Sequence, residues 1–191
     1  NAVNYMFENG IKGVDFVICN TDAQALEASL VPTKIQLGIN LTEGLGAGAN
    51  PDVGKRAAEE SSDRITELLD SNTKMLFITA GMGGGTGTGA APIIAEIAQQ
   101  KDILTVGVVT VPFATEGGFR RKYADEGILE LKKFVDTLLV IDNEKLIEVY
   151  GDLTFTAAFA KANEVLNTAT KGIAEVISQH LLVNIDLNDA R

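Results

Sequence analysis

Six glycines fall within nine positions in the run Gly81-Met82-Gly83-Gly84-Gly85-Thr86-Gly87-Thr88-Gly89. An apolar stretch of strand length, 75–80, leads in, and a helix-like stretch, 90–98, leads out. Strand, glycine loop and helix start form an anion site: free N–H groups and the positive end of the helix dipole point at the ligand. Glycine lets the backbone approach closely and adopt positive φ. Thr86 and Thr88 add hydroxyl donors. A plain turn needs one or two glycines, and six weaken the fold by their backbone entropy. The chemistry indicated is phosphate binding.

Two phosphate motifs can be tested against this run. The pattern G-x-x-x-x-G-K-[ST] fails, because no Lys follows the glycines. The dinucleotide pattern matches loosely at Gly85-x-Gly87-x-x-Ala90, but it needs an acid about 20 positions on, after the next strand. That strand, 104–111, runs into Thr110-Val111-Pro112-Phe113 with no acid. The loop is of another kind.

Other residues fall where such a ligand would be met. Strand 14–19 ends in Asn20-Thr21-Asp22, three short polar residues at a strand C-terminus, where α/β sites form. They also suit the start of a helix over 23–28. A second glycine loop spans 42–50, with Asn50 as N-cap and Pro51 in the first turn of a helix reaching about 70. Strand 34–37 precedes it. Glu116 and Arg120 stand four apart at the start of a helix to about 134, a spacing that by itself gives an exposed ion pair. Strand 138–141 is followed by Asn143, read as a helix N-cap. From 154 to about 178 apolar residues recur every three or four, which predicts a long core helix with Phe159 on its buried face. The chain closes with the polar pattern Asn184-x-Asp186-x-x-Asp189; His180 near the preceding helix end is given no chemistry.

Composition bounds the rest. The 191 residues suit one large domain, and 46% hydrophobic residues supply a core. With 16 basic and 26 acidic residues the net charge is −10, so nucleic acid and anionic membrane are poor partners. A polyphosphate would have to be met by backbone amides and a metal. The single Cys19 excludes an internal disulfide and reads as a core residue. No signal peptide and no apolar span of 18 residues is present, which makes the cytoplasm the expected compartment.

Taken together, the loop Gly83-Gly84-Gly85-Thr86-Gly87-Thr88-Gly89, the run Asn20-Thr21-Asp22-Ala23-Gln24-Ala25-Leu26 and the run Gly44-Leu45-Gly46-Ala47-Gly48-Ala49-Asn50-Pro51 resemble the tubulin/FtsZ family of GTPases, in its bacterial division branch rather than tubulin proper. The likeness covers essentially the whole chain. It implies an α/β fold: a Rossmann-like, mostly parallel sheet of about six strands with helices on both faces and a long central helix last. It also implies that 1–191 is a GTP-binding domain lacking the family's first strand and first glycine loop, with the second domain absent.

By the same resemblance, GTP or GDP with Mg2+ is the ligand, the metal being held mainly by phosphates and water. Asn20 and Asp22 lie near ribose, phosphates and metal. Gly46, Ala47, Gly48 and Ala49 sense the γ-phosphate, and Gly83, Gly84, Gly85, Thr86 and Gly87 hold phosphates. Glu116 and Arg120 contact ribose and phosphates, Phe159 stacks on guanine, and Asn143 and Asn163 bond the nucleotide. Asn184, Asp186 and Asp189 form a loop that acts on the neighbouring subunit's nucleotide, because about 15 helical residues beyond Asn163 carry it roughly 22 Å away. The resemblance thus implies a head-to-tail homopolymer at the mid-cell division site, with membrane tethers and regulators bound mostly through other regions. This chain alone is expected to fold and bind nucleotide but to hydrolyse GTP weakly. Two other functions compete: a dinucleotide-dependent oxidoreductase and a non-hydrolysing scaffold.

Overall fold

The computed structural model describes residues 2–9, 11, 13–70, 72–151 and 153–178. The strand-length runs fold as β1 (Val17–Asn20), β2 (Thr33–Gln36), β3 (Met75–Gly81), β4 (Leu104–Val111) and β5 (Thr137–Asp142). The helices are α1 (Ala2–Glu8), α2 (Ala23–Glu27), α3 (Ile39–Thr42), α4 (Pro51–Glu60), α5 (Ser62–Leu68), α6 (Thr86–Gln100), α7 (Gly118–Leu131), α8 (Asn143–Tyr150) and α9 (Phe155–Ser178). All strand pairings are parallel: β1 with β2, and β3–β4–β5 in that order. The fold class agrees with expectation, but the described residues give five strands in two ladders rather than about six in one sheet.

β4 explains the layering. All eight of its residues are buried, which requires cover on both faces. Val109 and Val111 pack with Ala91 and Ala95 of α6 and Ala124 and Leu131 of α7. Val106 and Val108 face the other way, toward Met6 of α1 and Leu166 and Ala174 of α9. A third cluster joins Ile35 and Leu37 to Ala57, Ala58, Ile65, Ala90 and Ala98.

Two helix boundaries differ from the sequence pattern. The expected helix from 51 to about 70 is broken at Ser61, which is buried and accepts the Gly38 N–H on its hydroxyl at 3.0 Å. A serine recruited by another segment ends one helix and starts the next. And α6 begins at Thr86, four residues before 90, inside the glycine run. Gly89 therefore lies within the helix. A Cβ there would sit 2.1 Å from the Pro51 carbonyl oxygen and 2.4 Å from the Lys55 nitrogen, and one on Gly54 would sit 2.2 Å from the Gly85 oxygen. The backbones of α4 and α6 touch at this crossing.

Cys19 packs against the cluster that holds Ile35 and Ala57. Desolvation raises its thiol from the ordinary 9.0 to about 11, with the Arg64 guanidinium opposing. Iodoacetamide at about pH 7.5 is expected to alkylate the native thiol about 100-fold more slowly than the denatured one; equal rates would show that the thiol is open to solvent. The linked stability is complete below about pH 9 and is lost as pH rises through about 11, because the unfolded thiol ionises first.

Candidate functional site at the strand ends

The C-terminal ends of β3, β4 and β5 share one side of their ladder. Open α/β sheets carry their ligands at such ends. β3 delivers the glycine loop, and Met82 N–H bonds the Thr110 carbonyl of β4 at 2.9 Å. Thr88, expected as a ligand donor, turns inward instead: it is buried, and its hydroxyl accepts the Gly83 N–H at 2.8 Å. That bond folds the loop back on the first turn of α6. The N–H groups of Gly84, Gly85, Thr86 and Gly87 have no acceptor among the described residues. A Cβ on Gly84 would meet nothing within 4 Å, so this glycine faces open space.

The second glycine loop lies against the first. A Cβ on Gly85 would approach Ala47 Cβ to 2.7 Å and the Asn50 nitrogen to 2.9 Å. Asn50 caps α4 as expected, accepting the Asp52 N–H at 2.9 Å, with Pro51 in the first turn. Glu43, Gly44, Gly46, Gly48 and Ala49 all have positive φ, giving a tightly wound loop. The 20–22 segment joins the loops. Thr21 is fully buried, its hydroxyl lies 2.7 Å from that of Thr86, and its carbonyl accepts the Gly46 N–H at 3.3 Å. Asp22 caps α2 through the Ala25 N–H at 3.1 Å, and Asn20 Oδ1 accepts the Asp22 N–H. Sequence reasoning missed the role of Thr21; its signal was a threonine at a strand end between two polar neighbours.

The other side of the cleft is built from 112–117 and α7 to α9. A Cβ on Gly83 would lie 2.7 Å from the Arg120 carbonyl, so this rim abuts the first loop. Glu116 and Arg120 form an ion pair at 3.1 Å, and the other Glu116 oxygen accepts the Phe113 N–H at 2.9 Å. Phe113 is buried and meets Phe159 edge to face, centroids 5.1 Å apart. Phe159 itself is half-buried, so the core position suggested by helical spacing is corrected. Asn163 follows one turn later, on the same stripe of α9. Asn143 is corrected as well: Asp142 is the N-cap of α8, accepting the Glu144 N–H at 3.0 Å. Asn143 is 4% exposed, and its Oδ1 has no hydrogen-bond partner among the described residues. A buried amide oxygen without a donor is costly, and a ligand donor would satisfy it.

The structure thus brings Asn20, Asp22, Gly46 to Ala49, Gly83 to Gly87, Glu116, Arg120, Asn143 and Phe159 to one end of the strands. Asn184, Asp186, Asp189 and His180 lie outside the described residues. Among the described residues no group of three or more His, Cys, Asp or Glu could hold a metal, and no helix is long and apolar enough to cross a membrane. β4 ends at Val111 and is followed by Pro112 and Phe113, so no acid stands where a dinucleotide ribose would need one.

A family model described as the Tubulin/FtsZ family, GTPase domain, matches residues 1–151. The cell division protein FtsZ of Pseudomonas aeruginosa is 53% identical over 192 aligned positions, covering 100% of this chain and 48% of its own length. That of Rickettsia prowazekii is also 53% identical, with 100% and 42% covered. The chain spans about half the length of the curated relatives it matches. A solved empty dimer of FtsZ from M. jannaschii superposes with a TM-score of 0.92 at 45% identity, over 99% of this chain and 57% of that one.

Proposed function

The chain belongs to the tubulin/FtsZ family of GTPases, and from that premise we propose that the cleft at the strand ends binds GTP and GDP. The observation that carries this is the run of amides from Gly84 to Gly87, without acceptors, at the start of α6 beside an open glycine face. Backbone donors at a helix N-terminus suit phosphates, and they supply the positive potential that a chain of net charge −10 lacks elsewhere. In this reading Gly46 to Ala49 meet the γ-phosphate, and Asn20 and Asp22 lie near ribose and phosphate. Glu116 and Arg120 take the ribose and phosphate flank. Phe159 stacks on guanine and Asn163 bonds its polar edge, where an amide can match the mixed donor and acceptor pattern; Asn143 also bonds the nucleotide. Mg2+ would be held mainly by the phosphates and water and would offset their charge.

Hydrolysis needs a positioned water, and the pattern Asn184, Asp186 and Asp189 is proposed to orient it. Ser178, the last described residue of α9, is 15 residues beyond Asn163, about 22 Å along the helix. That separation supports action on a neighbour's nucleotide across a head-to-tail contact, which repeats into an open filament. The relatives' names give the setting: cell division proteins. The proposal is a cytoplasmic polymer of the mid-cell division ring, with membrane tethers and regulators bound elsewhere on the whole protein.

The test is nucleotide content. Purified protein is denatured, and the released nucleotides are separated by anion exchange and quantified. Guanine nucleotide near one per chain is expected. Protein that holds none and takes up no added GTP would sink the proposal, as would uptake of NAD in its place.

A further inference from the structure

Glu144 is a half-buried carboxylate that the functional reading does not use. It accepts the Ala114 N–H at 2.8 Å, a bond between α8 and the 112–117 segment 30 residues away in sequence. The preceding amide, Phe113 N–H, is held by Glu116 at 2.9 Å. Two carboxylates from different elements therefore grip consecutive amides. Between them they set the backbone from which the buried Phe113 ring meets Phe159. Glu144 is itself anchored: Asp142 accepts its N–H at 3.0 Å, and the other Asp142 oxygen accepts the Arg121 guanidinium of α7 at 3.1 Å. These bonds are charge-assisted, and they link α7, the end of β5, α8 and the segment that carries Phe113.

Resting on the base-binding reading of Phe159 above, we propose that Glu144 is a positioning residue for base recognition: its bond to Ala114 holds Phe113, and through it Phe159, at the angle that accepts a purine. The simpler role, an acid in the first turn of α8 favoured by the helix dipole, would affect stability alone.

The ratio of GTP to UTP affinity separates the two roles, because partial unfolding weakens both ligands equally and leaves the ratio unchanged. Full-length protein is titrated with each nucleotide in competition with a fluorescent GDP analogue. Glu144→Ala is expected to lower the ratio about fivefold, the order of one ordinary hydrogen bond. Glu144→Gln, which keeps a carbonyl acceptor, is expected to restore most of it. Phe159→Ala is the companion variant and is expected to lower the ratio at least as far. A ratio that falls with Phe159→Ala but not with Glu144→Ala overturns the positioning role alone. Equal losses for Ala and Gln also overturn it, since the accepted amide would then not be the cause. A ratio that ignores Phe159→Ala removes the base-binding reading and this inference with it.

Discussion

Replacing Gly89 by alanine is expected to lower the thermal midpoint of the protein by about 10 °C. Inside an exposed helix the same change would stabilise by up to about 1 kcal/mol, because alanine is the better helix former. Here the sign reverses. The new methyl would sit 2.1 Å from the Pro51 carbonyl and 2.4 Å from the Lys55 nitrogen, and both are backbone atoms that no rotamer change can move. α4 and α6 would have to separate. Overpacking of this kind costs about 1–3 kcal/mol and sometimes more, and for a chain of this size each kcal/mol is about 2–4 °C. The strain lies next to Gly85 and Asn50, so the two glycine loops would part as well. Circular dichroism melts of the two proteins decide the matter; an unchanged or raised midpoint would show that the helices do not cross at backbone contact.

Gly84→Ala should behave in the opposite way. A Cβ there meets nothing within 4 Å, and its φ lies outside the left-handed region that resists side chains. Without nucleotide, the midpoint is expected to move by less than about 2 °C, the scale of a neutral surface change. Nucleotide affinity is expected to fall ten- to a hundred-fold. The methyl would occupy space where a phosphate approaches the amides of Gly84 to Gly87, and each bond of that kind is worth about 1.5–3 kcal/mol. Titration of the variant with GTP and GDP, beside melts of the empty protein, reads both quantities. Unaltered affinity would place the phosphates elsewhere; a large fall in the midpoint would make Gly84 a structural glycine after all. The pair of variants separates two reasons for glycine that look alike in sequence.

That separation marks the boundary between what the chain says by itself and what its folding adds. Local order was legible. The order of apolar runs and glycine loops gave the α/β class and located β4, but its cover on both faces is seen only in the packed structure. Asn50-Pro51 announced the start of α4, since a side chain bonding two residues on and a residue without N–H act within one turn. The family likeness lay in short contiguous motifs and was readable for the same reason.

Most of what failed depended on partners far away in sequence. The break at Ser61 depends on Gly38, 23 residues earlier. The partial burial of Phe159 depends on Phe113 from the 112–117 segment; Thr88 and Asp142 misled at short range, the first by folding back on Gly83 and the second by capping α8 one residue before Asn143. Glu144 gave no signal, because a glutamate in a first helical turn is ordinary until Ala114 arrives beside it. Periodicity and capping rules report each residue's nearest neighbours along the chain. Whether a glycine is kept for a phosphate or for another helix is decided by what stands opposite its missing Cβ, and only the packed structure supplies that atom.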